Sequence, residues 1–178
     1  MRNIAVIYKS KYGTTKQYAQ WIAQALDVTL LEASTVKSSQ LAAFDVVIYG
    51  GGLYAGGIDG IELVTKNSCR SLVVFTVGLA NPETTDYADI LNRNFSKELL
   101  SKTKVFHLRG GIDYEKLGFV HKMMMGMVHK SVLKKNESER TEEDTLFLQT
   151  YGKKVDFTDQ HTIAPICDYV NHLCSPLP

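Results

Sequence analysis

The sequence has few cysteines and no long apolar run. Its three cysteines, Cys69, Cys167 and Cys174, are an odd number at spacings that match no zinc-binding or redox pair, so we expect reduced thiols rather than a disulfide framework. No stretch approaches the roughly 20 apolar residues that span a bilayer, and the apolar run at residues 4–8 is shorter than that of a signal peptide. We therefore expect a cytoplasmic protein.

The sequence also lacks an excess of charge of either sign. Its 20 lysines and arginines nearly balance 19 aspartates and glutamates, which excludes the basic footprint of a nucleic-acid-binding protein. None of the five histidines has a carboxylate or cysteine partner at ligand spacing, so we expect no metal site. A length of 178 residues with 44% apolar content suits a single core, and we expect one domain over residues 1–178.

Apolar segments of strand length alternate with segments of helical periodicity. The candidate strands are residues 4–8, 28–32, 46–50, 72–77 and 105–108. The candidate helices are residues 15–26, 39–43, 58–65, 87–100 and 163–173. Most of the strands are apolar throughout, as expected where both faces of a sheet are covered. The pattern predicts a doubly wound α/β fold with a five-stranded parallel sheet and helices on both faces.

Three loops that follow predicted strands carry the candidate binding residues, because ligands of such sheets lie beyond the carboxyl ends of the strands. Residues 10–15 combine hydroxyls and a glycine with a helix N-terminus, where backbone N–H groups favour a phosphate. Residues 50–57 contain five glycines in eight positions, and such a loop can lie against a flat ring. Residues 77–82 are small and mostly apolar. Together the loops predict a planar, phosphate-bearing ligand, whereas each loop alone also fits an ordinary cap or turn.

The first of these loops carries the pattern Y-x-S-x-x-G-x-T, from Tyr8 to Thr15. It is similar to the phosphate loop of flavodoxins, which bind flavin mononucleotide (FMN), and the order of strands and helices resembles that family over essentially the whole chain. The resemblance implies a flavodoxin-like fold with no catalytic side chain, since the flavin carries the chemistry. The FMN contacts that it implies are Ser10, Lys11, Tyr12, Gly13, Thr14 and Thr15 around the phosphate, and Gly52, Leu53, Tyr54, Ala55, Gly56, Gly78, Leu79, Ala80 and Asn81 beside the isoalloxazine.

A second resemblance concerns a segment at about 112–142, which is too long for a simple connection and which we interpret as a helical insertion. The run GGIDY at residues 110–114, the methionine-rich stretch after it and the run DFTD at residues 156–159 resemble the flavodoxin-type, menaquinone-dependent protoporphyrinogen dehydrogenases. That resemblance implies FMN-dependent oxidation of a hydrophobic porphyrinogen, with electrons passed to a quinone. The chain departs from that group at Tyr54 and Gln160, where arginine and tryptophan are common.

The insertion contains a predicted helix with an apolar stripe and lysines around it. The stripe consists of Leu117, Val120, Met124, Met127, Val128 and Ser131, widened by Phe119 and Met123. Three hypotheses fit it: packing against the core, an adaptable pocket for a hydrophobic substrate or partner, and peripheral contact with the inner face of a membrane.

Three function classes follow from these patterns. The leading one is an FMN oxidoreductase or a flavodoxin-type electron carrier that works with a redox partner protein or a quinone; the near-neutral charge favours the enzyme, since a carrier gains from an acidic docking face. A phospho-acceptor receiver domain needs carboxylates where the chain has Tyr8-Lys9 and Tyr49-Gly50. A cofactor-free interaction module is the third class, and yellow purified protein would eliminate it.

Overall fold

The computed structural model describes residues 2–175. Within them, the central sheet contains β1 (Ile4–Lys9), β2 (Thr29–Glu32), β3 (Val46–Tyr54), β4 (Gly57–Ile58), β5 (Leu72–Gly78) and β6 (Lys104–Arg109). Five strands are parallel in the order β2-β1-β3-β5-β6, and the short β4 pairs antiparallel with the end of β3. The order in which the chain adds strands therefore reverses direction between β1 and β3, and doubly wound sheets of this order bind their ligands at that point. The prediction of a five-stranded, doubly wound sheet is confirmed.

Helices cover both faces of this sheet. The described helices are α1 (Thr14–Leu26), α2 (Glu62–Thr65), α3 (Ala88–Asn94), α4 (Lys97–Lys102), α5 (Phe119–Leu133), α6 (Glu142–Thr150) and α7 (Ala164–Cys174). One core lies between the sheet and α1 with α7, and the other lies between the sheet and α2, α3 and α4. Successive strand residues enter opposite cores, so that Val6 joins the first and Ile7 the second.

The first helix is held by apolar residues at helical spacing. Tyr18, Ala19 and Ile22 of α1 are fully buried against the sheet. Trp21 is partly buried and packs edge-on against the Tyr18 ring, with 5.3 Å between the ring centroids. Trp21 thus contributes to the packing of α1 against the sheet.

Three of the predicted helices differ from the structure. The segment predicted as a helix over residues 58–65 begins in β4 and contains only the single turn of α2. The segment predicted over residues 87–100 is divided into α3 and α4, because the Ser96 hydroxyl accepts a hydrogen bond from Leu99 N–H and starts a new helix. Residues 39–43 lie in a 3₁₀ helix, Ser38–Ala43.

The glycine-rich segment after residue 49 was expected to be a loop, and much of it is strand. Gly50, Gly51 and Gly52 belong to β3, and the turn lies at Ala55 and Gly56, whose φ angles are 49° and 78°. Packing within the sheet requires the first of these glycines, because a Cβ on Gly50 would lie 2.1 Å from a ring carbon of Phe75. The sequence pattern therefore reflects close packing as well as a turn.

The segment between β6 and α7 is closed by two short strands. β7 (Gly111–Asp113) pairs antiparallel with β8 (Lys154–Asp156), and α5 and α6 lie between them in the chain. The Thr141 hydroxyl caps α6 by accepting a hydrogen bond from Asp144 N–H. The folded segment thus continues beyond residue 142, where the insertion was expected to end. No helix in the described part of the chain has both the length and the apolar character needed to cross a bilayer.

We expect Gly50→Ala to lower the free energy of unfolding by about 1–3 kcal/mol, because the added methyl group overpacks a buried site. Urea denaturation measures the change. Gly57→Ala is the matched control, since its Cβ would lie at an ordinary 3.4 Å from the Tyr54 carbonyl oxygen. If the Phe75 ring is the obstacle, Phe75→Leu should cost less in the Gly50→Ala background than in the native chain; equal costs would contradict this account.

Candidate functional site

The N-terminus of α1 is open for an anion. Its N-cap residue, Gly13, has a φ of 100°, offers no side-chain cap and is followed by a first turn without acidic residues. The first bond of the helix runs from Gln17 N–H to the Gly13 carbonyl oxygen at 3.0 Å. The N–H groups before it therefore lack an intrahelical acceptor. They belong to Thr14, Thr15 and Lys16.

Ser10 shapes the loop that precedes this helix. Its hydroxyl oxygen accepts a hydrogen bond from Gly13 N–H at 3.1 Å. This bond satisfies the Gly13 donor inside the protein and leaves the donors of the first helical turn for a ligand. Thr15, in the first turn of the helix, is buried.

Three side chains from separate parts of the chain form an aromatic cluster beside the α1 N-terminus. The Tyr54 ring, at the end of β3, stacks on the His121 ring of α5 with 4.9 Å between centroids and 10° between planes. The Tyr12 hydroxyl lies 2.7 Å from His121 Nδ1 and accepts a hydrogen bond from Gly118 N–H at 3.3 Å. Tyr12 therefore connects the phosphate-type loop to the beginning of α5.

Both ionisable groups that stack in this cluster are held in their uncharged forms. Burial, followed by the negative charge of Asp59 and the proximity of Tyr12, raises the pKa of Tyr54 to about 12. Burial and then the positive charge of Lys11 lower the pKa of His121, against a smaller opposing effect of Asp59. At neutral pH the cluster thus presents uncharged faces, which suit a planar ring.

A cavity of about 130 Å³, which we call the cleft, lies against this cluster and is lined by residues from all three predicted loops. The predicted site residues that line it are Tyr12, Thr14, Leu53, Tyr54, Ala55, Gly78 and Leu79. The insertion contributes Ile112, Leu117, His121, Met124 and Met125 to its wall. Pockets for ligands of drug-like size span about 300–1,000 Å³. A flavin-sized ring would therefore have to replace a side chain such as His121, whose ring already stacks on Tyr54.

The other eight predicted residues do not line this cavity; they are Ser10, Lys11, Gly13, Thr15, Gly52, Gly56, Ala80 and Asn81. Ser10 and Lys11 face a separate polar cavity of about 560 Å³ that also contains Asp59. Gly52 is buried in β3. Gly56 lies in the turn before β4, where a Cβ would come within 2.5 Å of Arg93 Nη1. Of the glycine-rich segment at residues 50–57, the structure therefore places only Leu53, Tyr54 and Ala55 beside the cleft.

The loop after β5 is held by an ion pair between β6 and the insertion. Arg109 Nε donates a hydrogen bond to the Leu79 carbonyl oxygen at 3.1 Å, and Arg109 Nη2 lies 3.2 Å from Glu143 Oε1. The same carboxylate oxygen accepts a hydrogen bond from Asn81 N–H at 3.1 Å. Ala80 faces an apolar cavity of about 340 Å³ beneath α5 and α6. Ala80 and Asn81 thus point toward the insertion rather than into the cleft, while Leu79 borders both.

The residues of the predicted apolar stripe do not share one environment in the structure. Leu117, just before the helix, is buried and Met124 is half-buried, but Val120 and Met127 are exposed. The face that packs inward contains His121, Met124, Met125 and Val132 instead. Apolar residues occur on both sides of this helix, so periodicity alone could not choose which side is buried.

Sequence reasoning assigned no site role to His121, Arg109 or Glu143. Within α5, His121 lies three residues before Met124 and four before Met125, which places it on the same helical face as these two methionines. This spacing could have indicated that His121 belongs to the site. Arg109 and Glu143 are 34 residues apart in the chain, and no local pattern predicts their pairing. A further histidine, His107, stacks on Tyr87 and does not line the cleft; burial lowers its pKa to about 4.

We expect Glu143→Ala to accelerate hydrogen exchange at the Asn81 amide by about tenfold, because the amide loses its charged acceptor. Exchange measured by NMR under native conditions tests this. Glu142→Ala is the matched control, since Glu142 is in the same first turn of α6 and is exposed. Equal acceleration in both variants would mean that helix α6, rather than this hydrogen bond, protects the loop.

The sequence matches the flavodoxin domain family over residues 5–140. No curated protein matches the chain. Among solved structures, a flavodoxin from the domain Archaea is 14% identical, with a TM-score of 0.44 over 60% of this chain and 82% of that chain. The flavodoxin, WrbA-like protein from Agrobacterium tumefaciens is 21% identical, with a TM-score of 0.42 over 57% of this chain and 71% of that chain. Oxidised Flavodoxin 2 from Bacillus cereus is 19% identical, with a TM-score of 0.43 over 60% of this chain and 84% of that chain.

The family match and the fold agree with each other. The matched residues run from β1 through α5 and include every strand of the parallel sheet. They also include the open α1 N-terminus and the three loops that border the cleft. The chain belongs to the flavodoxin domain family.

Proposed function

We propose that this protein is an FMN-dependent oxidoreductase that carries electrons or hydride through the bound flavin. The observation that carries the proposal is the meeting of two features at the β1 and β3 crossover. One is an uncapped helix N-terminus, and the other is an uncharged aromatic cleft beside it. Together they match a ligand with a phosphate at one end and a planar ring at the other.

The donors at the α1 N-terminus favour a mononucleotide over a dinucleotide. The loop offers one compact group of donors from the first turn of α1 around Gly13. It lacks the G-x-G-x-x-G turn that accepts a pyrophosphate in dinucleotide-binding folds. FMN fits this group of donors better than FAD or a nicotinamide dinucleotide.

The aromatic cluster beside the cleft supports binding of a planar ring at the other end of the ligand. Tyr54 already presents its ring face to a planar partner, His121. Leu79 approaches the cleft from the loop after β5, which Arg109 holds in place. Bound FMN supplies the redox chemistry by taking electrons from one partner and giving them to another. The protein would bind and orient the ring and keep charge away from it.

The wall contributed by the insertion favours a hydrophobic substrate. Leu117, Met124 and Met125 line the cleft beside the aromatic cluster, and methionine side chains adapt to irregular apolar shapes. This observation supports a porphyrinogen or quinone as the substrate class, in line with the resemblance of the insertion. A flavodoxin-type electron carrier without its own substrate is the second candidate, and the covering of the cleft by α5 counts against it, because a carrier needs its flavin accessible to partner proteins.

We expect the purified or reconstituted protein to be yellow and to release FMN, identified by mass spectrometry. Tyr54→Ala should alter the visible flavin spectrum or the FMN dissociation constant, because it removes the stacking face beside the cleft. Trp21→Phe is the matched control, since Trp21 packs against Tyr18 away from the cleft. Release of FAD, or the absence of flavin binding, would refute the proposal; a larger effect of Trp21→Phe would refute the placement of the ring.

We expect Met124→Lys to reduce turnover with a water-soluble quinone more than it reduces FMN affinity. It places a charge in the apolar wall, whereas the phosphate donors lie at the α1 N-terminus. Met123→Lys is the matched control, because Met123 is the adjacent residue and points outward. Thermal unfolding of both variants must accompany the assay. Equal turnover in the two folded variants would remove the insertion from the substrate site.

A further inference from the structure

We propose that the outer face of α5 docks onto an anionic lipid surface. We define the outer face as Phe119, Val120, Met123 and Met127 together with Lys122, Lys130 and Lys134. This proposal concerns the side of α5 that faces away from the cleft, and it stands without any assumption about the cofactor.

The apolar part of the outer face is exposed to water. Phe119 is 82% exposed, Val120 59%, Met123 52% and Met127 57%. Phe119, Met123 and Met127 recur every four residues, so that they form one line along the helix. The opposite side of the helix packs on the protein through His121, Met125 and Val132. The exposed line is therefore not needed to hold α5 in place.

The charged part of the outer face is basic. Between residues 116 and 136 the sequence has five lysines and no carboxylate, in a chain whose net charge is only +1. Lys116 and Lys135 pair with Asp113 and Asp144. None of the ion pairs found among residues 2–175 includes Lys122, Lys130 or Lys134. The apolar line is thus accompanied by three lysines that form none of these ion pairs.

This combination fits an anionic bilayer better than a second copy of the chain. An interfacial helix inserts its apolar residues at the boundary of headgroups and acyl chains, while nearby lysines are attracted to anionic headgroups. Two copies that met through this face would bring like charges together, which opposes association. Charge complementarity therefore selects the lipid surface as the occupant.

Docking would also bring the cleft to the lipid boundary, a consequence that rests on the proposed function. Met123 and Met124 are neighbours in the chain, and one points outward while the other lines the cleft. A hydrophobic substrate dissolved in the bilayer would then reach the cleft by a path about one helix diameter long, on the order of 10 Å.

Flotation of the full-length protein with vesicles tests this proposal. We expect binding to phosphatidylcholine vesicles that contain phosphatidylglycerol, no binding to pure phosphatidylcholine, and weaker binding as salt is raised. Lys130→Ala combined with Lys134→Ala should lower the partition coefficient by about 25-fold, at roughly fivefold for each lysine near such a surface. Phe119→Ser should also lower it, because it removes an exposed apolar anchor from the helix.

The matched control combines Lys66→Ala with Lys97→Ala, which removes two exposed lysines outside the insertion. It should leave vesicle binding unchanged, and circular dichroism must show that every variant is folded. The proposal is overturned if low salt gives no binding to anionic vesicles, or if the control pair weakens binding as much as Lys130→Ala with Lys134→Ala. It is also overturned if the chain forms a dimer that Phe119→Ser dissociates while vesicles stay unbound. The flavin spectrum of the same samples reports separately on the proposed function.

Discussion

The pairing of β7 with β8 is the constraint on which the site depends. It joins Gly111 to Asp156 and Asp113 to Lys154, and so it closes a long excursion of the chain at the carboxyl edge of the sheet. Gly110, one residue earlier, donates its N–H to the Gly78 carbonyl oxygen and accepts a hydrogen bond from Phe157 N–H. These bonds anchor both ends of the excursion beside β5. Between these fixed ends, α5 lies beside the cleft and supplies part of its wall, while α6 borders the separate apolar cavity beneath the two helices.

Two helix N-termini near the cleft are used in opposite ways. The first turn of α6 carries Glu142, Glu143 and Asp144 and a Thr141 cap, so its positive end is satisfied by its own residues. One of those carboxylates, Glu143, reaches across to Arg109 and to Asn81 N–H. The α1 N-terminus has neither a side-chain cap nor an acidic residue. A carboxylate from the α6 N-terminus therefore fixes the loop after β5, whereas the α1 N-terminus has no side-chain acceptor of its own.

The success and failure of sequence reasoning follow from the range of each interaction. The strands and α1 were predictable, because burial imposes a period that a short segment records by itself. The glycine at residue 50 was misread because its cause, the Phe75 ring, lies on the neighbouring strand. The cleft was foreseen in part, since the parallel strands must end together. A role of the insertion helix in its wall was one of three open hypotheses, and the contacts of His121 were not predicted. His121 belongs to the site through Tyr12 and Tyr54, two contacts that are distant in sequence.

The insertion helix α5 separates two surfaces of different chemistry. On its inner side the lowered pKa of His121 and the raised pKa of Tyr54 keep the cleft uncharged. On its outer side three lysines accompany an exposed apolar line. Since a helix moves as a rigid unit, any ligand that shifts α5 by displacing His121 also shifts the outer face. A coupling between two sites acts equally in both directions. On the proposed function and the proposed docking, a ligand in the cleft and a lipid surface at the outer face would therefore act on the same helix.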